Sequence, residues 1–182
     1  MLRYRIEHAR VAPLHYADKS HPALWFAERL HESLPDSQFI AIVRDPYGSV
    51  ASGLVHEGVR GWIERWPGTP SRFLGVTVAG IDEYRGLSTV GRLAVRWRAH
   101  VERTERLSRL LDPTCYLVIS YTDLVLNNEA TLRRLTEFLH LSSPLSGPAP
   151  ELGSLTKWQD VLSEGHLAEI GDVTKTPPTS PP

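Results

Sequence analysis

Phe39-Ile40-Ala41-Ile42-Val43-Arg44-Asp45-Pro46-Tyr47-Gly48-Ser49-Val50-Ala51-Ser52 is the stretch on which the fold turns. Its first five residues are apolar without interruption, the pattern of a parallel strand covered on both faces. Arg44-Asp45-Pro46 ends the run, and proline is well tolerated in a turn or in the first turn of a helix. The residues that follow predict a helix from Tyr47 to about Val59. Strand, short turn and helix in that order are the elements of an α/β layer fold. They place Arg44 at the carboxyl edge of the sheet, where such folds usually bind ligands. Ser52, eight residues on, lies one to two turns into the helix and can face the same anion. Arginine suits that task because it keeps its charge and offers several donors in a rigid fork. Spacing alone leaves another reading open, in which Arg44 pairs with Asp45 and Ser52 is a surface residue.

Outward from this stretch the periodicity predicts a helix over Leu24–Leu34, stopped by Pro35-Asp36. A long amphipathic helix is expected over Ser88–Leu111, with Leu93, Trp97, Val101 and Leu107 on its inner face. Cys115–Ile119 reads as a second buried strand, ending at Ser120–Leu124. Asn127 or Asn128 can cap a further helix carrying Leu132, Leu135 and Phe138. Residues 142–154 read as loop, and Trp158–Ile170 as a last short helix. Gly61–Gly86, rich in Gly, Pro, Trp and Arg, has no firm assignment. Its Trp62, Trp66 and Phe73 either pack a long loop, the favoured reading, or form a lid over a ligand. The expected organisation is one domain over residues 1–173 and an unpacked Pro/Thr/Ser tail over 174–182.

Composition narrows the function classes. Twenty basic and twenty-one acidic residues leave a formal charge of -1, unlike the basic footprint of a general nucleic-acid binder. The single cysteine, Cys115, excludes an intrachain disulfide. No apolar run reaches membrane-helix length, so a cytoplasmic protein with no membrane partner is the expectation. No metal-ligand pattern is legible.

IVRDP followed by VAS closely resembles the signature of sulfotransferases that use 3'-phosphoadenosine 5'-phosphosulfate. Three other stretches agree in order. LPDSQF, residues 34–39, resembles the family's approach to this strand. YTDLV, residues 121–125, resembles its YEDL strand end with Thr122 in place of glutamate, and TLRRLTEFLHL is like the helix that follows. LTKWQDVLS, residues 155–163, resembles a C-terminal segment of bacterial members.

The resemblance implies a three-layer, P-loop-nucleotidase-like α/β fold with a mostly parallel sheet. It also implies transfer of a sulfuryl group to a hydroxyl or amine of a small-molecule or glycan acceptor. By the family pattern Arg44 and Ser52 grip the donor's 3'-phosphate, and Lys157 approaches the nucleotide. DKSHPALWF resembles the family's EKTP-like segment, which makes Lys19 a candidate to stabilise the bridging oxygen. His21 and then His15, which flank it, are candidate bases, with Glu7 a further possibility. Tyr121 is a candidate support for the Arg44 turn. Family members also begin with a strand and a PKxGTT-like phosphate loop. MLRYRIEHARVAPLHYADKS has no glycine, so an N-terminally incomplete domain is the expectation, a sulfotransferase if an upstream phosphosulfate loop exists or is replaced and of weak or absent catalysis otherwise. The alternatives are a non-catalytic protein that binds 3',5'-diphosphoadenosine or another phosphorylated ligand, and a small kinase, which the same missing glycine loop disfavours.

Overall fold

A computed structural model describes residues 16–66, 68–148 and 150–175, together with Glu7 and Arg10. Helix α1, Ala23–Ser33, forms where the apolar stripe predicted it and buries Ala27 and Leu30. It leads through a turn into strand β1, Phe39–Val43. Asp45 then starts α2, Pro46–Val55, with proline in its first turn. The single helix expected as far as Val59 is two. His56 adopts an extended backbone, ends α2, and opens α3, Glu57–Arg65, by accepting the Val59 N–H on Nδ1 at 3.2 Å.

The unassigned Gly61–Gly86 stretch resolves into the end of α3, a tight loop closed by a Ser71–Val76 bridge, and α4, Ile81–Gly86. Gly75 takes φ +74° in that loop, and a Cβ there would lie 2.8 Å from the Val95 carbonyl oxygen. Helix α5, Thr89–Leu110, is capped by Ser88, whose hydroxyl accepts from the Val90 and Gly91 amides. Strand β2, Tyr116–Ser120, follows. Tyr121–Leu126, expected to continue the strand end, is instead a short helix, α6, and Asn128–Phe138 is α7. Two 3₁₀ turns, Leu152–Leu155 and Lys157–Asp160, precede α8, Glu164–Thr174. Of the segment expected as one helix over Trp158–Ile170, only the second part is α-helical.

The expected three-layer fold with a broad, mostly parallel sheet does not form. The described residues are mostly helical, and their sheet has two parallel strands, paired from Phe39↔Tyr116 to Val43↔Ser120. Burial explains the difference. Phe39 and Ala41 pack into a small cluster with Ala27, Leu107 and Tyr116, whereas Ile40 and Ile42 on the other face are 40% and 55% exposed. On that second face Leu117 and Ile119 of β2 are buried, so cover reaches β2 and stops short of β1. An unbroken apolar run predicts two-sided burial, whereas here it is half-covered at an edge.

The larger core lies among helices. Tyr47 and Val50 of α2, Ile63 of α3, Leu93 and Ala94 of α5 and Ile170 of α8 form one cluster. Such a core anchors α2 against α5, and that pairing holds the Arg44 turn in place.

Candidate functional site

The turn after β1 is tied down from three sides. Asp45 Oδ1 accepts the Gly48 N–H at 2.7 Å, capping α2. The Arg44 carbonyl accepts Trp97 Nε1 of α5 at 2.8 Å. The Arg44 guanidinium lies with Cζ 4.6 Å from the centre of the Tyr121 ring, a cation–π contact from the element that follows β2. Its Nη2 donates to the Ser154 carbonyl, and Tyr121 Oη donates to Ser154 Oγ at 3.0 Å.

Gly48 makes this placement possible. A Cβ at that position would stand 2.4 Å from Arg44 Nε and 2.8 Å from Cζ, so the guanidinium rests directly on the helix backbone. Ser52 follows Gly48 by four residues, which puts it on the same face one turn further along, exposed to solvent. The competing pairing with Asp45 is present only as a 3.8 Å contact between partly exposed groups. It leaves Arg44 Nε buried and without a hydrogen-bond partner.

Lys157 lies in the second 3₁₀ turn, near enough to Arg44 and Tyr121 for their charges to act on it. Its Nζ donates to Glu151 Oε2 at 2.7 Å. That hydrogen bond raises the lysine's pKa and lowers the carboxylate's. Both are exposed, so the pair is weak and an anion can take the lysine from it.

A cleft of about 500 Å³ runs along β1, touching every residue from Gln38 to Arg44. Lys19 and His21 line it, as do Arg96 and His100 of α5. The pKa of His21 is lowered, first by burial and then by the charges of Arg96, Lys19 and His56. His100 is pushed down to about 4, chiefly by burial and then by Arg96, against a hydrogen bond to the Phe73 carbonyl at 3.2 Å. Since that partner is a carbonyl, Nε2 donates, and the ring is neutral. His15 lies outside the described residues. Among the described residues no cluster of side chains could hold a metal ion, and no helix is long and apolar enough to cross a membrane.

Sequence reasoning missed Arg96 and His100. The signal was available: both fall on the apolar stripe of α5 that carries Leu93 and Trp97, and a charge on a buried stripe asks for a partner. The three aromatics of the irregular region divide. Trp62 and Trp66 meet edge to face, their centroids 6.0 Å apart, and pack on the helical core, whereas Phe73 meets Trp25 of α1 edge to face.

The model of the sulfotransferase family matches residues 2–144. The chain belongs to the sulfotransferase family. No curated protein and no solved structure matches it. The family match takes in Lys19, His21, Arg44 and Ser52 and stops short of Lys157. The arrangement suits an anion. Arg44 has an unpartnered buried Nε, an aromatic face beneath it, and a hydroxyl one turn away on its helical seat. Among the described residues before Arg44, no glycine-rich loop accompanies it.

Proposed function

We propose that this sulfotransferase-family protein takes 3'-phosphoadenosine 5'-phosphosulfate and passes its sulfuryl group to a hydroxyl or amine acceptor. Arg44 and Ser52 hold the 3'-phosphate in this reading, with Lys157 as an outer cation. The single observation that carries it is the Arg44 guanidinium seated on Gly48, a turn from Ser52, with its Nε unpartnered. A doubly charged oxygen cluster would be met by the remaining donors of the guanidinium, and charge-assisted bonds to arginine are the strong ones.

Lys19 and His21 share the cleft beside β1, and this reading gives them the roles of the family pattern. The lowered pKa of His21 keeps it neutral at physiological pH, the form in which an imidazole accepts the acceptor's proton. Lys19 then offsets negative charge developing on the bridging oxygen. A cytoplasmic location goes with this reading. R44A tests it: the folded variant should bind 3',5'-diphosphoadenosine at least tenfold more weakly in calorimetry, the loss of a charged hydrogen bond. Unchanged affinity would remove Arg44 from the site.

A non-catalytic nucleotide binder is the second reading, favoured by the lack of a glycine-rich loop among the described residues before Arg44. Release of 3',5'-diphosphoadenosine from the donor, dependent on acceptor and lost in K19M, separates the enzyme from the binder.

A further inference from the structure

Arg96 stands in an unusual position. It lines the cleft along β1, its Nε is buried without a hydrogen-bond partner, and it makes no ion pair among the described residues. Lys19, on the same cleft, has no acidic partner among them either. Against Lys19, Arg44 and Arg96 the cleft lining presents one acid, Asp18, which has an interaction of its own. A half-buried guanidinium without a carboxylate is unfavourable for the empty protein, and a bound anion reverses that.

The Arg96 centre differs from the Arg44 centre in its neighbours. Arg44 meets Tyr121, Ser154 and Gly48. Arg96 lies beside His21 and His100, and the His100 ring stands edge-on to Trp25 at 5.6 Å. Two cationic centres on one cleft suit two anions, and a nucleotide 3'-phosphate held at Arg44 leaves the second for another molecule.

We propose that Arg96, with Lys19 and His21 beside it, binds an anionic group carried by the acceptor, so that the second substrate is an acidic molecule bearing a carboxylate, sulfate or phosphate. Assigning the anion to the acceptor rests on the donor reading above; the anion centre itself does not. Leu24, Ala27, Leu93 and Val101 on the lining of the same cleft give such an acceptor an apolar surface to lie against.

Inorganic sulfate is the probe, titrated into the full chain with and without saturating 3',5'-diphosphoadenosine. Chloride holds the ionic strength constant, because screening alone would mimic weak effects. Calorimetry reads affinity, and NMR reads the His21 and His100 imidazoles. Sulfate should bind in both conditions and raise both imidazole pKa values, since it neutralises the Arg96 charge that depresses them. R96M should weaken sulfate roughly tenfold or more and abolish its effect on the imidazoles, while R96K retains most of both. K19M, at an exposed position, provides a second test that does not disturb the core. R44M should lose the nucleotide and keep sulfate. If R44M keeps the nucleotide, the donor reading fails and the anion centre stands. Sulfate affinity unchanged in both R96M and K19M would overturn the centre. Mutual exclusion of sulfate and nucleotide would overturn its assignment to the acceptor.

Discussion

His100 shows how far one buried group can govern the whole. Its pKa is about 4 in the fold and near 6.5 in an unfolded chain, so the unfolded state takes up a proton first as pH falls. Stability contributed by the neutral ring is therefore full above about pH 6.5 and is lost progressively down to about pH 4. The loss is bounded at about 3 kcal/mol for a shift of this size. H100Q keeps a donor for the Phe73 carbonyl but cannot titrate. Urea unfolding across that range should show a shallower acid decline for H100Q than for wild type, and parallel declines would show that His100 is not the sensor. At this scale the sequence was unevenly legible. Arg44 declares itself because it ends an apolar strand and precedes Asp-Pro. Arg96 hides inside a long helix in which several arginines project outward, and only its position on the Leu93–Trp97 stripe separates it from them.

Among the elements, α1, β1, α5 and β2 were readable to within a residue or two, since each carries an apolar stripe or an unbroken apolar run between clear stops. The break at His56 was not, because no glycine or proline marks it and the cap is an imidazole. Nor was the extent of the sheet. Apolar runs announce strands, but they do not say how many partners or covering layers those strands find. Gly48 ties element to site and yields a prediction of its own. Alanine is intrinsically better than glycine in a helix by up to about 1 kcal/mol. G48A should thus melt within a few degrees of wild type while its new Cβ drives the guanidinium off its seat. Affinity for 3',5'-diphosphoadenosine should fall as far as in R44A. A G48A protein that binds normally would mean that Arg44 acts from another position.

Across the whole molecule, the packed core extends beyond the family match. That match ends at residue 144, yet Leu162, Ile170 and Val173 belong to the main core. Helix α8 is fastened to α5 at two points. Glu169 accepts from the Ser88 amide at 3.2 Å and from its hydroxyl at 2.6 Å, placing a carboxylate at the positive start of α5. Arg98 of α5 donates to the Val173 carbonyl at 2.7 Å. Because α5 also carries Trp97, Arg96 and His100, α8 steadies that wall of the cleft from outside it. Ile170 is fully buried, so I170A should destabilise by about 2–5 kcal/mol through lost burial and the cavity left behind. For a chain of this length that corresponds to a melting point lower by roughly 5–15 °C. The remaining folded fraction should still bind nucleotide with near-normal affinity, since no atom of Ile170 lines the cleft. Melting curves with and without 3',5'-diphosphoadenosine read both quantities together. Equal stabilisation of I170A and wild type by the ligand would assign α8 to support alone, whereas loss of that stabilisation would show that its packing shapes the site itself.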